Sequence, residues 1–445
     1  MHESTIVPVG SRPDLPASSL KQHAEARGMF AAFAIRNYRY YFAGQVVSNT
    51  GTWMQRIAQD WLVLDLTGSS FAVGITTAMQ FLPILLFGLY GGVIADRFSR
   101  RGLLMITQAV MGLLAAILAV LTLIGMAKVW HVYLLALLLG MVTVVDIPSR
   151  QSFVPEIVGQ RRLHNAISLN SASFQAARLV GPAVAGALIA AVGSGWAFAI
   201  NACSFLAVIG ALLAMQQSEL IPAARPTRRK GQVREGLRYV SAHPQLLGPI
   251  VLVAFVGTFA YNFPVVLSGF AYDVFDVDAG RYGLLNTALA MGSLMGALLA
   301  SRRGRIRMRM LVSTAICLGA LETVVAFAPQ YWFFTALLVL VGLVVVTFDT
   351  SSNSMLQLEA EPAMRGRVMS LNMIVFSGGT PIGGPAVGWL AEEFGPRFGL
   401  FACGAISAIS AALVGMVFLR VTRVRVQISG GRIALLPGQM SPDAR

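Results

Sequence analysis

The sequence predicts an all-α membrane protein with twelve transmembrane helices in two six-helix bundles that a pseudo-twofold axis relates. Three observations lead to this prediction: twelve apolar blocks of membrane-spanning length, cationic residues concentrated on alternate junctions between the blocks, and an internal repeat. Only 12% of the residues are charged and the mean hydropathy is +0.68. A soluble domain carries about 25% charged residues, so the composition favours a polytopic membrane protein.

The apolar blocks predict helices rather than strands. A chain in the bilayer must satisfy its backbone hydrogen bonds internally, which allows helices or a closed barrel. Barrel strands would give alternating segments of about ten residues, whereas these blocks are longer and rich in Leu, Ala, Val, Met and Gly. The predicted spans are 41–64, 71–95, 103–126, 131–147, 165–192, 196–215, 246–270, 281–300, 309–328, 331–349, 368–391 and 398–419.

The distribution of lysine and arginine predicts the orientation. The two termini and the junctions on their side hold 29 of the 34 cationic residues, the opposite side holds three, and Arg56 and Arg178 lie inside spans. The positive-inside rule therefore places both termini in the cytoplasm, with the protein in the cytoplasmic membrane. A net charge of +14 also suits nucleic-acid binding. Nucleic-acid binding requires a clustered basic face, whereas these arginines are distributed between the apolar blocks. No nucleic-acid partner is therefore expected.

A polar, basic segment divides the chain into two similar halves. The tetrapeptide Gly181–Val184 recurs as Gly384–Val387 at a shift of 203 residues, and Asp146 maps onto Asp349 at the same shift. Such a repeat is typical of transporters whose two bundles rock about a central site, although chance similarity between Gly/Ala-rich helices is an alternative. The predicted units are a cytoplasmic tail at 1–36, a bundle at 37–215, a cytoplasmic linker at 216–245, a bundle at 246–419 and a cytoplasmic tail at 420–445.

The junction between the second and third spans carries a recognisable motif. It reads Gly92-Val93-Ile94-Ala95-Asp96-Arg97-Phe98-Ser99-Arg100-Arg101. This resembles the G-x-x-x-D-R-x-G-R-R signature of the major facilitator superfamily, with Ser99 where glycine is usual. The resemblance implies a conformational latch between helices, while an ordinary cationic loop is the alternative. The latch residues would be Gly92, Asp96, Arg97, Arg100 and Arg101.

A second motif lies in the fifth span. Gly181, Pro182 and Gly186 resemble the G-x-x-x-G-P-x-x-G-G element of antiporter members of that superfamily, with Ala177 and Ala185 replacing two glycines. Pro182 removes a helix hydrogen bond and permits a kink, and small residues permit close helix contact. The resemblance implies export, and simple tight packing is the alternative.

Three further segments resemble the enterobactin-exporter-like, or transmembrane secretion effector, branch of the superfamily. They are Trp53–Gln55, Asp146–Glu156 and Leu169–Ser171. Members of this branch export siderophores or antibiotics, so the resemblance implies efflux more firmly than it implies any one cargo.

Charged and polar side chains inside the spans are the candidate functional residues. An ionisable side chain in hydrocarbon costs at least about 2.5 kcal/mol and usually faces a cavity. Glu322 and Asp60 are the proton-coupling candidates, and Arg56 lies four residues before Asp60, where the two can pair. A static ion pair, or an arginine that only holds a helix end, is the alternative for these positions. The cavity or substrate candidates, on two polar helix faces, are Arg56, Arg178, Gln45, Asn49 and Gln175.

The sequence contains no phosphate-binding G-x-x-x-x-G-K-[ST] loop and no hydrolase motif. We therefore expect a non-enzymatic secondary active transporter without cofactor or metal site, which exports a small amphipathic molecule by proton antiport and alternating access. Its expected partners are that substrate, protons and membrane lipid, and the resemblance implies a monomer. A proton-coupled importer, or a membrane sensor or scaffold that transports nothing, are the alternatives.

Overall fold

The computed structural model describes residues 30–221, 232–300, 308–421, 425–429 and 432–436. Residues 1–29 of the predicted N-terminal tail, residues 222–231 of the predicted linker and parts of the predicted C-terminal tail lie outside the described residues. The described chain is predominantly α-helical, as the sequence predicts.

The helices follow one another with short connections. They are α1 Arg36–Thr67, α2 Ser70–Arg97, α3 Arg100–Leu123, α4 Val129–Val192, α5 Ser194–Ala214, α6 Gln232–Ala242, α7 Pro244–Phe259, α8 Phe263–Gly269, α9 Ala279–Ala300, α10 Met308–Ala326, α11 Tyr331–Glu359, α12 Arg365–Phe394 and α13 Pro396–Val421. Short 3₁₀ turns occupy Ala31–Ala34 and Gln217–Glu219, a π-helical turn continues α8 through Phe270–Val274, and β1 Arg425–Ser429 pairs antiparallel with β2 Arg432–Leu436.

Nine helical segments of the described chain are long and apolar enough to cross a membrane. They coincide with the predicted spans except for the first and the eleventh. The helices at those two positions, α1 and α12, are 32 and 30 residues long but carry more polar residues.

The structure differs from the sequence prediction between the fourth and fifth spans. The predicted junction at 148–164 is helical, and α4 runs for 64 residues with Pro148 and Pro155 inside it. Burial of Phe153 and Ile157 in a cluster with Tyr38 explains why the helix continues where the prolines suggest an end. The one break in α4 is Gly159, whose φ of 66° lies in the left-handed region that favours glycine.

Serine side chains cap the helices that begin at the second and third spans. The Ser69 hydroxyl accepts a hydrogen bond from the Ala72 amide at 3.1 Å, and the Ser99 hydroxyl accepts one from the Gly102 amide at 3.1 Å. These bonds satisfy amides that lack a partner in the first turn of a helix. Ser99, the departure from the superfamily signature, is therefore the N-cap of α3.

Small residues bring the helices into backbone contact. In α11, Gly342 faces the backbone of α9, and in α10, Gly319 faces Gly404 of α13. Without a hydrophobic driving force between helices in lipid, such close packing is a main source of association. The predicted linker also contains structure, because α6 packs on α12 through an ion pair of 2.6 Å between Glu235 and Arg367.

We expect Gly342→Leu to lower the thermal stability of the protein. A Cβ atom at Gly342 would meet the Leu289 carbonyl oxygen and would lie 2.9 Å from the Ser293 amide nitrogen. Overpacking of this kind costs about 1–3 kcal/mol. The measurement is the apparent unfolding temperature of detergent-solubilised protein, followed by fluorescence-detected size-exclusion chromatography after heating.

The matched control is Gly210→Leu, because a Cβ at Gly210 meets no atom within 4 Å. Equal unfolding temperatures for the two variants would contradict the packing argument.

Candidate functional site between the N-terminal and C-terminal helices

The N-terminal helices α1–α5 meet the C-terminal helices α7–α13 along a surface that we call the seam. At one end the seam is closed by contact between α2 and α12. There Gly384 lies against the backbone of Gly74, and the Ser69 hydroxyl donates to Glu392 Oε2 at 2.5 Å. The absence of side chains at both glycines lets the two helices touch.

A second contact between α4 and α9 closes the same end. A Cβ atom at Gly186 would lie 2.9 Å from the Ala279 carbonyl oxygen, and one at Gly283 would lie 2.5 Å from the Pro182 carbonyl oxygen. The motif residue Gly181 faces α1 instead, where its Cβ would lie 2.6 Å from that of Trp53. The motif residues thus contact α1 on one side and α9 on the other. The backbone keeps helical dihedral angles at Pro182.

The other end of the seam contains open space. A cavity of about 540 Å³ lies between α2, α4 and α12, and its wall includes Leu85, Gly92, Ile147, Gln151, Ser370 and Met373. A second cavity of about 390 Å³ adjoins Ser370 and is lined by Asp349, Asn353, Asn372 and Phe376. The seam is therefore closed at the Ser69 end and hollow at the Gly92 end.

Two of the predicted cavity residues lie against the same aromatic ring. The guanidinium carbon of Arg56 lies 4.8 Å from the centre of the Trp53 ring and 6.0 Å from that of Phe81. The guanidinium carbon of Arg178 lies 5.6 Å from the Trp53 ring centre. Both arginines are partly exposed, and within the described part of the chain neither forms an ion pair. The structure thus brings two cations of α1 and α4 together around Trp53.

Asp60 has a partner across the seam. Its Oδ2 accepts a hydrogen bond of 3.3 Å from the Tyr282 hydroxyl of α9, and the Trp61 ring packs against the Tyr282 ring at a tilt of 33°. No ion pair joins Arg56 to Asp60 among the described residues, so the expected pairing at four-residue spacing does not form. Asp60 bonds to Tyr282 of the neighbouring helix α9 instead. The sequence of α1 contains no information about this partner.

Glu322 is enclosed by the C-terminal helices. It is 1% exposed, and neither carboxylate oxygen has a hydrogen-bond partner within the described residues. One turn away, Gly319 contacts α13, and Cys403 of α13 and Tyr261 lie within electrostatic range of the carboxylate. Glu322 is therefore buried within the C-terminal helices, and it lines neither of the two cavities described above.

The uncharged candidates separate into two groups. Gln45 is 5% exposed and accepts a hydrogen bond from the Arg150 guanidinium, so it is engaged within the N-terminal helices. Asn49 and Gln175 remain partly exposed on α1 and α4. Only these two keep the accessibility that the sequence analysis expected of cavity residues.

The latch residues anchor the start of α3. Arg100 forms an ion pair with Glu156 of α4, and the Arg101 Nε donates to the Leu212 carbonyl oxygen of α5 at 2.9 Å. Arg97 is exposed, Asp96 is partly buried at the end of α2, and Gly92 contributes to the larger cavity. The motif therefore ties three N-terminal helices together beside the open end of the seam.

Sequence reasoning did not identify the polar network around Asp146 as a site. This carboxylate accepts hydrogen bonds from Thr107 and Gln108, each at 2.8 Å, and from Arg150 at 2.6 Å. It also did not single out Tyr282. The four-residue spacing of Asp146 and Arg150 was a signal in the sequence for this network. Tyr282 gave no such signal, because an aromatic residue in an apolar helix is common.

Comparison with known proteins identifies the family and supports the fold. A family model described as transmembrane secretion effector matches residues 27–433. The chain is similar to a staphyloferrin A transporter of Staphylococcus aureus, at 25% identity over 86% of this chain and 96% of the relative. It is also similar to the multidrug efflux pump Tap of Mycolicibacterium fortuitum, at 28% identity over 85% of this chain and 94% of the relative.

The enterobactin exporter EntS of Escherichia coli is 24% identical over 91% of this chain and 95% of its own length. Among solved structures, a bacterial homologue of the human lysosomal transporter Spinster, in an inward-facing and unoccupied conformation, superposes with a TM-score of 0.69 at 16% identity, over 86% of this chain and 98% of that one. The branch resemblance found in the sequence is confirmed, and the structural likeness supports the fold.

We expect Asp146→Asn to destabilise the protein. The change removes the carboxylate that neutralises Arg150. The asparagine oxygen can still accept from Thr107 and Gln108, but its amide donor then faces the donors of the Arg150 guanidinium. Removing one partner of a buried ion pair costs about 3 kcal/mol. Thermal unfolding in detergent measures the effect.

Asp65→Asn at the exposed end of α1 is the matched control, and the double variant Asp146→Asn with Arg150→Gln should recover part of the loss. An unfolding temperature for Asp146→Asn equal to that of the control would show that the network contributes little.

Proposed function

The chain belongs to the transmembrane secretion effector family of the major facilitator superfamily, and on that premise we propose that it exports a small amphipathic molecule across the cytoplasmic membrane. It is a transporter and not an enzyme. The proposed cargo is a siderophore or a hydrophobic drug or antibiotic, since the relatives include siderophore transporters and a multidrug pump. The proposed mechanism is proton antiport through alternating access, and the main support is a seam that is closed at one end and hollow at the other.

Twelve spans are consistent with the helices. A helix of 64 residues would measure about 96 Å, roughly three times the hydrocarbon thickness of a bilayer, so α4 with its break at Gly159 would supply two spans. The other eight apolar segments, together with α1 and α12, supply the remainder. Asp60 of α1 then faces the seam and Gln45 contacts a neighbouring N-terminal helix, so these polar residues of α1 meet protein rather than lipid.

The repeated Gly-Pro tetrapeptide supports two bundles with a pseudo-twofold axis. Pro182 in the first copy contacts Gly283 of α9, and Gly384 in the second copy contacts Gly74 of α2. Each copy thus forms one of the two backbone contacts that close the seam. Corresponding contacts by the helices that carry the two copies, α4 with α9 and α12 with α2, are what a twofold relation between bundles at 37–215 and 246–419 requires.

The cationic residues support a cavity that opens to the cytoplasm. Gly92 of the larger cavity lies next to the latch, whose arginines belong to the cation-rich side of the chain. The positive-inside rule puts that side in the cytoplasm together with both termini. For an exporter this is the state that loads cargo, and opening the Ser69 end would release it outside.

Asp60 and Glu322 are the groups through which protons would act. The hydrogen bond from Tyr282 to Asp60 crosses the seam near its closed end, and a charged acceptor makes this bond stronger than a neutral one would. Protonation of Asp60 would therefore weaken the closure and bias the equilibrium between states. Glu322 has no partner for a negative charge in the described residues, so burial favours its neutral, proton-bearing form.

The latch would act on the same equilibrium from the other end. Arg100 and Arg101 hold the start of α3 to α4 and α5, and Arg97 remains exposed beside the cavity. An exposed cation at this rim can contact an acidic side chain of the C-terminal helices when the cavity closes, or lipid phosphates when it is open. We expect the protein to work as a monomer in lipid.

Export is tested by transport in oriented vesicles. Everted vesicles that contain the protein should accumulate cargo and release protons from their lumen when a proton gradient is imposed, whereas right-side-out vesicles should not accumulate cargo. A growth screen of a deletion strain against a drug panel, with profiling of secreted metabolites, identifies the cargo to use. Accumulation in right-side-out vesicles alone would overturn export in favour of uptake.

Glu322→Gln should reduce cargo-dependent proton release from everted vesicles at least tenfold, since the amide keeps the shape of the side chain but carries no exchangeable acidic proton. The exposed Glu359 of α11 provides the matched control, Glu359→Gln. Asp60→Asn, compared with Asp65→Asn, tests the second candidate in the same assay. Proton release that survives Glu322→Gln at the control rate would remove Glu322 from the mechanism.

A further inference from the structure

Arg56 and Arg178 have fewer electrostatic partners than two arginines at the junctions between the N-terminal spans. Arg100 is neutralised by Glu156, and Arg150 by Asp146. Arg56 and Arg178, by contrast, share the face of one tryptophan and form no ion pair in the described ranges. The Nε of Arg56 is buried and has no hydrogen-bond partner among the described residues.

The nearest carboxylates are already engaged elsewhere. Asp60 accepts from the Tyr282 hydroxyl, and Asp349 accepts from the Asn353 side chain at 3.3 Å. Asp349 and Tyr261 lie within electrostatic range of Arg178 without reaching the distance of an ion pair. The two arginines therefore lie within electrostatic range of carboxylates, but most of their N–H donors form no hydrogen bond with the described residues.

A cation–π contact does not satisfy these donors. The aromatic face attracts the positive charge, but the N–H groups at the edge of the guanidinium still need acceptors. Guanidinium presents its donors in a planar fork that matches the paired oxygens of an oxyanion. Trp53 thus attracts both positive charges, and the N–H donors of both guanidinium groups still require acceptors from another group.

The open end of the seam leads to these arginines. Phe81, which contacts Arg56, lies one helical turn from Leu85 in the wall of the larger cavity. Asp349, near Arg178, lines the second cavity. Both arginine side chains are partly exposed, and these two neighbours place them next to the cavity walls.

We propose that Arg56 and Arg178 form an anion-binding site around Trp53, and that the cargo is an amphipathic organic anion bearing a carboxylate or sulfonate. Phe81 and Phe174, which pack beside Arg56 and Trp53, give the site an aromatic wall for the apolar part of that molecule. Trp53 is a positioning residue. The identification of this ligand as cargo rests on the proposed export function, whereas anion binding itself does not.

The test compares two fluorescent probes of one skeleton that differ in charge. 1-Anilinonaphthalene-8-sulfonate is anionic, and N-phenyl-1-naphthylamine is its uncharged counterpart. Binding is measured by fluorescence titration of full-length protein in lipid nanodiscs, with empty nanodiscs subtracted and no proton gradient. Each of Arg56→Gln and Arg178→Gln should weaken sulfonate binding about tenfold to a hundredfold, as expected for loss of a charge-assisted hydrogen bond, and should leave naphthylamine binding within about twofold.

The controls separate charge recognition from loss of structure. Arg161→Gln removes an exposed arginine of α4 and should bind both probes as the original protein does. Arg56→Lys keeps the charge but not the fork, so it should retain more sulfonate affinity than Arg56→Gln. Each variant must elute as the original protein does in size-exclusion chromatography, and a variant that does not is replaced by its Lys counterpart.

Two outcomes would overturn the anion site. In the first, the glutamine variants lose affinity for both probes to the same extent. In the second, both glutamine variants bind the sulfonate with unchanged affinity. Failure of the export proposal has a different signature: the sulfonate binds in an arginine-dependent way, but neither this probe nor any cargo from the screen accumulates in everted vesicles. The titration uses no gradient, so it distinguishes the two failures.

Discussion

A guanidinium inside a membrane-spanning helix finds neither water nor counter-ions in hydrocarbon, so its donors must be satisfied from within the protein or from a cavity. The structure meets this constraint in two ways. Arg150 is neutralised by Asp146, and the pair helps to hold the N-terminal helices together. Arg56 and Arg178 are placed around Trp53 beside a hollow seam, where the missing acceptors leave room for a ligand.

The position of those arginines depends on close backbone contact further along the seam. Gly74 meets Gly384, and Gly186 approaches Ala279, so the helices converge at one end and diverge toward the other. The divergence produces the cavities, and the last side chains before the helices touch are the polar ones of α1 and α4. Small residues at one end of the seam and charged residues at its middle are therefore parts of one arrangement.

The two buried acids differ in what surrounds them. Asp60 bridges the N-terminal and C-terminal helices through Tyr282, so its charge state is coupled to how closely the two sets pack. Glu322 is enclosed among the C-terminal helices and has no such bridge within the described residues. Proton uptake at Asp60 would act directly on the seam, whereas uptake at Glu322 would act through the packing of the C-terminal helices.

The sequence alone determined the class of protein, the approximate positions of most helices and the family, because hydropathy, charge alternation and short motifs are local properties of the chain. It also singled out Arg56 and Arg178, since a charge in an apolar block is visible without a structure. The helical continuation across 148–164 and its break at Gly159 were not predicted, because the packing of Phe153 overrides the local effect of the prolines.

Tertiary structure alone decided which neighbour covers each helix face. Helical periodicity placed Gln45, Arg56 and Asp60 on one face of α1, but it contained no information on the helices opposite. The structure covers that face in turn with Arg150 of α4, with Phe81 of α2 and with Tyr282 of α9. The physical reason is that a side chain's role in the membrane depends on its partner, and those partners come from helices distant in the chain.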